Sequence, residues 1–415
     1  MQPLRVLSSP RMSTLMLGIC ALLLIISMIL FPDQAFKASL QGIQLWWKLV
    51  FPALLPFLII TEIMRGIGAL HGIGALLEPL LRILFRLPGI SGWLIALGFT
   101  AGMPVGAAAI STLRCEGQLT RDEAERLLGA THVLSPVFLI TIVGVGFLHS
   151  ATIGLALAVI HYGSMLLVLL AQRMSSTEEP LPLTGFRRRG VFAHALEAFR
   201  AAGARDGRTF GKLLGDAVSV SVQQSFIIGG YIMMFSVLLK VIDLSGLLTV
   251  LSSPIALLGV WSSEELNRMM AALLPGMFEA HLGAFAFTQA EAVSSVWQYA
   301  LLSLVLAWGG LSAITQVRSL TVATDLRFKR FLKFRLWHAG TAFILTPLVW
   351  EPLNSWLTRQ QEPLSAFNGG QSAWALDQGT LWPFVSPMML QFGTILLLLV
   401  VISIFTAFLF RRGER

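Results

Sequence analysis

Gly98-Phe-Thr-Ala-Gly-Met-Pro-Val-Gly-Ala107 decides how this chain is read. The stretch lies inside an apolar run from Pro88 to Leu113, long enough to cross a bilayer. Pro104 removes a backbone donor and crowds the preceding turn, and Gly98, Gly102 and Gly106 weaken the helix further. In hydrocarbon an unsatisfied backbone group costs several kcal/mol, so broken backbone survives only where protein or water surrounds it. Two readings follow. The break helps to build a substrate site of the kind found at the midplane of many secondary transporters, or it is a kinked helix whose small residues ease close packing.

Working outward, composition agrees with a membrane setting. The 415 residues are 55% hydrophobic and only 13% charged, against about 25% charged in soluble domains. Mean hydropathy is +0.75. The net charge of +8 is concentrated in a few loops between apolar runs, as cytoplasmic loops are, and does not point to nucleic acid. Cys20 and Cys115 are too few and too differently placed for a disulfide framework or a metal site.

Apolar runs predict spans at 14–31, 44–64, 88–113, 127–148, 150–172, 213–239, 296–316, 336–357 and 388–410. The stretches 66–86 and 244–290 read as interfacial or re-entrant. The run after Arg5 and Arg11 reads as an anchor helix rather than a removed signal, because no clear cleavage site follows. Loop 173–212 holds eight basic residues and loop 318–335 holds six, so both are placed in the cytoplasm together with the tail at Arg411, Arg412 and Arg415. A cytoplasmic N-terminus then requires 88–113 to be re-entrant, whereas a full span there puts the N-terminus outside. The expected architecture is an all-α polytopic membrane protein of about 8–10 transmembrane helices. Its parts are an N-terminal anchor at 1–40, a first half at 41–172, a basic linker at 173–212, a second half at 213–357, and a loop with a C-terminal helix at 358–415.

The second half carries a counterpart break, Leu306-Ala-Trp-Gly-Gly-Leu-Ser-Ala-Ile-Thr-Gln316, with Gly309 and Gly310. Aligning Gly102 with Gly309 also sets Leu94 against Leu301 and Leu113 against Leu320. Paired broken segments in two halves point to a transporter site, although apolar runs also resemble one another by chance. Ionisable residues within the membrane are costly and suggest function. Glu279 lies just after Pro275-Gly276, where it would bind a ligand, couple an ion or cap freed amides. Gln223 and Gln224 offer donors and acceptors within an apolar span, or an interhelical bond. Gln316 and Arg318 close the second break, and Arg318 suits an interfacial loop as well as an anion. His132, Ser135 and Pro136 form a polar kink. Thr120 with Glu123 reads as a capping box, a structural signal. No HExxH, phosphate-loop, GxSxG or dinucleotide signature occurs, so an enzyme is not expected.

Several of these segments together resemble one family. Gly102-Met-Pro-Val-Gly-Ala107 is similar to the GYPxGA motif of YlbJ-type sporulation integral membrane proteins, which belong with the nucleoside-recognition, or Gate, domains. Gly117-Gln-Leu-Thr-Arg-Asp-Glu-Ala-Glu-Arg-Leu-Leu128, Ser135-Pro136, Gly276-Met-Phe-Glu-Ala-His-Leu-Gly283 and Trp308-Gly-Gly-Leu-Ser312 with Gln316 follow in the family's order. The resemblance covers roughly 45–345. Met103 replaces an aromatic, Thr131-His132-Val133 stands where paired asparagines are usual, and Ala280-His281 replaces Met-Thr. The resemblance implies inverted halves like those of concentrative nucleoside transporters. It also implies a sporulation role, the movement of dipicolinate across the cell or forespore membrane. The expected partners are a small-molecule anion, the lipid bilayer and a coupling ion, with no cofactor, metal or nucleic acid. The substrate-binding candidates are Gly102, Pro104, Gly106, Ser135, Gln223, Gln224, Glu279, Gly309, Gly310 and Gln316. A nucleoside-type carrier and a non-transporting scaffold for spore-envelope assembly are the alternatives.

Overall fold

The computed structural model describes residues 22, 25–26, 28–174, 190–246, 250, 263–289, 295–367, 393–394 and 397–407. All regular elements among them are helices. Helix α1 (Pro32–Gly66) is continuous through a wide turn at Trp46–Val50. It is followed by α2 (Ala69–Phe85), α3 (Ser91–Ala101), α4 (Val105–Cys115), α5 (Arg121–Thr131), α6 (Phe138–Phe147) and α7 (Ala151–Met174). The second series is α8 (Val191–Asp206), α9 (Phe210–Leu244), α10 (Ser263–Phe278), α11 (Ala280–Gln289), α12 (Ser295–Trp308), α13 (Gly310–Leu320) and α14 (Phe328–Phe367). A last described helix, α15 (Leu397–Ala407), docks on α2, where Ser403 Oγ donates to Leu76 O at 2.6 Å.

Four of these stretches are long and apolar enough to cross a membrane: Pro32–Gly66, Ala151–Met174, Phe210–Leu244 and Val296–Leu320. The chain is an integral membrane protein. Helices α1 and α9, each of 35 residues, bury only 22% of their most apolar windows, which leaves broad faces for lipid. They pack against each other in opposite directions, with Gly42 against Ser236 and Gly66 against Leu213.

The runs read as single spans are divided at the middle. Residues 88–113 do not span. Gly74 of α2 lies against Gly92 at the start of α3, and α4 ends beside the ion pairs of the 321–327 loop. Pro88, Gly89 and Ile90 before α3 line one surface cleft with Thr112, Leu113 and Glu116 at the end of α4, so the α3–α4 unit is a hairpin whose two ends share a face. Residues 127–148 are two helices separated at 132–135, and 296–316 are two helices separated at Gly309. Within 244–290, α10 and α11 form a second hairpin whose tip is Glu279, with Gly276 packed on Gly283. This hairpin opens on the opposite face, where Gln298 Nε2 donates to Phe287 O at 2.7 Å. The predicted span 14–31 lies largely outside the described residues, as does most of 388–410.

Element order also revises the register of the two halves. After each 35-residue helix comes a hairpin broken at Gly102 or Glu279, and then a crossing helix broken at 132–135 or at Gly309. Gly102 thus pairs with the Glu279 break rather than with Gly309.

The basic face is tied by charge. Arg114 makes a two-pronged pair with Asp325 at 2.9 Å, and Arg327 and Arg330 both engage Asp122 and Glu125. The hydrogen bonds and charge of Arg114 hold the Asp325 carboxyl below the usual carboxylate range. This is the face that carries the Lys- and Arg-rich stretch, for which the positive-inside rule predicts a cytoplasmic position. The run 318–335 is not all loop, however. Helix α14 begins at Phe328, and Arg335 is buried at 1% exposure.

Candidate functional site

Four half-helices begin at one central cavity. Helix α4 starts at Pro104, α6 just after Ser135, α11 at Glu279 and α13 at Gly309, and all four of these residues line the cavity. From this point α4 and α13 run side by side toward the basic face. Met103 meets Gly309 at their start, and Arg114 meets Asp325 at their end. Helices α6 and α11 run together the other way, with Phe138 on His281 at 4.4 Å between ring centroids and Phe147 on Phe285 at 5.6 Å.

The first turn of any helix leaves backbone N–H groups without partners inside the helix, and its dipole favours negative charge there. Two of the four starts are answered by the protein. Ser135 Oγ accepts from Phe138 N at 3.3 Å. Glu279 Oε2 accepts from His281 N and Leu282 N, and its Oε1 lies 2.8 Å from His281 Nδ1. The other two starts, at α4 and α13, carry no side-chain cap. Gly309 and Gly310 both have φ of 84°, a left-handed pair that only glycine adopts without strain, and this brings the start of α13 close to Met103.

On the carbonyl side of the breaks, the protein supplies donors. Met103 N donates to Val133 O at 3.0 Å, and Tyr162 Oη donates to Leu134 O at 2.7 Å. Trp308 Nε1 donates to Met277 O at 3.1 Å, while His161 Nε2 serves the break in the other sense, accepting from Leu134 N at 3.2 Å. Negative helix ends are thus neutralised from within, while two positive ends face the cavity. Polar side chains of Thr100, Gln224, Tyr231, His281, Ser312 and Gln316 complete the lining among the described residues. Gln316 Nε2 donates to Ser312 O at 3.3 Å, which holds its amide on the α13 wall. The cavity has about 60 Å³ of room. That suffices for a few waters at roughly 10–15 Å³ each, so a larger guest needs the hairpins to part.

Of the candidates read from sequence, Gly102, Pro104, Ser135, Gln224, Glu279, Gly309 and Gln316 meet at this cavity. Three do not line it. Gly106 packs under Thr131, and Gly310 packs on Phe278 O and the Glu279 backbone. Gln223 points outward from α9, because one residue along a helix turns a side chain by roughly 100°. The lining also takes His281, Ser312, Tyr231 and Thr100, which the sequence does not mark as substrate-binding candidates. Ser312 and His281 lay within the quoted motifs, two or three residues past a break, which is where the first turn of a half-helix exposes its side chains. His132 lies behind Gly309, edge-on to Phe331 with ring centroids 5.0 Å apart, and packs there without lining the cavity. Arg318 stacks over Phe328 at 5.3 Å on the basic face, in agreement with the interfacial reading.

A helical membrane protein with broken helices meeting at its centre is the class that the fold and the cavity define, and residues 47–166 match the family model for Gate, described as nucleoside recognition. The chain is 35% identical over 379 residues to the sporulation integral membrane protein YlbJ of Bacillus subtilis (strain 168), a match covering 89% of this chain and 91% of that protein. It belongs to the YlbJ family of sporulation integral membrane proteins.

Proposed function

We propose that the chain carries a small organic anion of the dipicolinate type across a membrane during spore formation. The observation that supports this most directly is the pair of uncapped half-helix N-termini, α4 and α13, facing one cavity. Two positive helix ends suit two carboxylates, and Gln224, Ser312 and Gln316 add neutral donors around them. Glu279 already spends one oxygen on the amides of α11, so its role is to seal that end and, with His281, to engage a coupling ion. The two oppositely facing hairpins supply the moving parts that alternate access requires.

Reconstituted protein in proteoliposomes is expected to take up labelled dipicolinate. A Glu279→Ala, Gln316→Ala double variant is expected to lose about tenfold or more of that flux. Undiminished flux in the double variant removes both residues from the mechanism. A nucleoside-type carrier is the second reading. It is favoured by the Gate match and by the acceptor pair Glu279 and Gln316, which suits hydroxyls and base edges. Uptake of labelled nucleoside, or competition of dipicolinate flux by nucleosides, would select it. Absence of both fluxes would leave the scaffold alternative.

A further inference from the structure

Arg335 is the largest fully buried side chain among the described residues, at 1% exposure, and no carboxylate pairs with it there. A buried charge of this kind is costly unless its hydrogen bonds are met. Its guanidinium donates to Gly129 O and His132 O, at the C-terminal end of α5, and to Ala307 O, at the C-terminal end of α12. It also donates to His338 Nδ1 at 2.7 Å, and His338 Nε2 in turn lies 2.8 Å from His161 O. Helices α5 and α12 are the first halves of the two broken crossing helices. Each ends in carbonyls without intrahelical partners and with partial negative charge. One planar fork spans both ends, a geometry that suits arginine and that an ammonium cannot copy.

We infer that Arg335 is the positioning residue of the central site, clamping the C-terminal ends of both broken crossing helices and so fixing where α6 and α13 begin. The same side chain balances the negative ends of the breaks, which leaves the positive ends to dominate the cavity. Arg126 uses the same device elsewhere, donating to Phe85 O at the end of α2. For its meaning in transport the inference rests on the carrier reading above, but the test below does not depend on transport.

The test places a single cysteine at Ser312, on the cavity wall and 2% exposed, in a Cys20→Ser, Cys115→Ser background of the full chain. The rate of labelling by a membrane-impermeant thiol reagent is compared in R335K, R335Q and H338Q, with melting temperature measured for each. R335K keeps the charge but cannot span both helix ends, and labelling is expected to rise roughly fivefold or more as the breaks open locally. H338Q leaves the three carbonyl bonds in place and is expected to stay within about twofold of the parent. Where dipicolinate flux is measurable, R335K is expected to lower its maximum about tenfold with little change in KM. Unchanged labelling in both Arg335 variants overturns the clamp, and so does an equal rise in H338Q, which would mark general loosening of the core. Labelling that rises while no flux is found in the parent keeps the clamp and rejects the carrier reading.

Discussion

At the scale of single residues, the central packing depends on glycines that meet backbone to backbone. A Cβ added at Gly283 would lie 2.2 Å from Gly276 Cα, and nothing flexible is available to move aside. Gly283→Ala is therefore expected to destabilise the α10–α11 hairpin by about 1–3 kcal/mol. Gly230, with nothing within 4 Å, faces away from such contacts, and Gly230→Ala is expected to stay within about 0.5 kcal/mol of the parent. Thermal melting of the purified protein in detergent checks both. Equal losses for the two variants would show that helix propensity, not the close approach, sets the cost. Glu279 has the same double character on this scale. Its carboxylate caps α11 and lines the cavity, so the two readings of Glu279 open in the sequence are not exclusive.

Elements are held by two contrasting kinds of contact. At the centre, half-helices meet through small residues and shared backbone bonds. At the basic face, α4, α5 and the start of α14 are tied by arginine–carboxylate pairs that lie partly in water. The Arg114–Asp325 pair is exposed and contributes modestly, whereas Glu125 is buried and takes both Arg327 and Arg330, so the tie between α5 and the start of α14 is the firmer one. Cys115 at the end of α4 has its Sγ 4.0 Å from Ala323 O, so Ala323→Cys in a Cys20→Ser background offers a reversible tie across that face. Oxidation is expected to stop flux in proteoliposomes, and reduction to restore it. Full flux from the cross-linked form would mean that this face does not part during transport.

Across the whole molecule, the class of fold is legible from the apolar runs, and all four breaks leave a mark in the sequence: two as glycine-rich interruptions, one as the polar kink at His132, Ser135 and Pro136, and one as Glu279 just after Pro275-Gly276. The family resemblance was carried by the same motifs and agrees with the 35% identity to the Bacillus subtilis protein. Other features are not legible, for identifiable physical reasons. The polar kink at 132–135 shows in the sequence, but how its backbone is satisfied does not. Its carbonyls are satisfied by Met103, Tyr162 and Arg335, which are distant in sequence or hidden in other elements. Glycine-rich letters align Gly102 with Gly309, whereas element order pairs Gly102 with a carboxylate-capped tip at Glu279. In the sequence Arg335 reads as part of the basic loop, because charge near the start of a helix is usually solvated. Here the helix carries it inward to two carbonyl ends, and only the fold brings those ends together.

The most direct measurement asks whether a dicarboxylate occupies the point where the four half-helices begin. Gln224 lines that cavity from α9. With a single cysteine at Gln224, in a Cys20→Ser, Cys115→Ser background, the labelling rate is measured with and without dipicolinate and with and without a nucleoside. Slowing of about tenfold by dipicolinate, with no slowing by the nucleoside, is the result expected of an anion held between the starts of α4 and α13. A rate that dipicolinate leaves unchanged at any concentration would contradict that assignment.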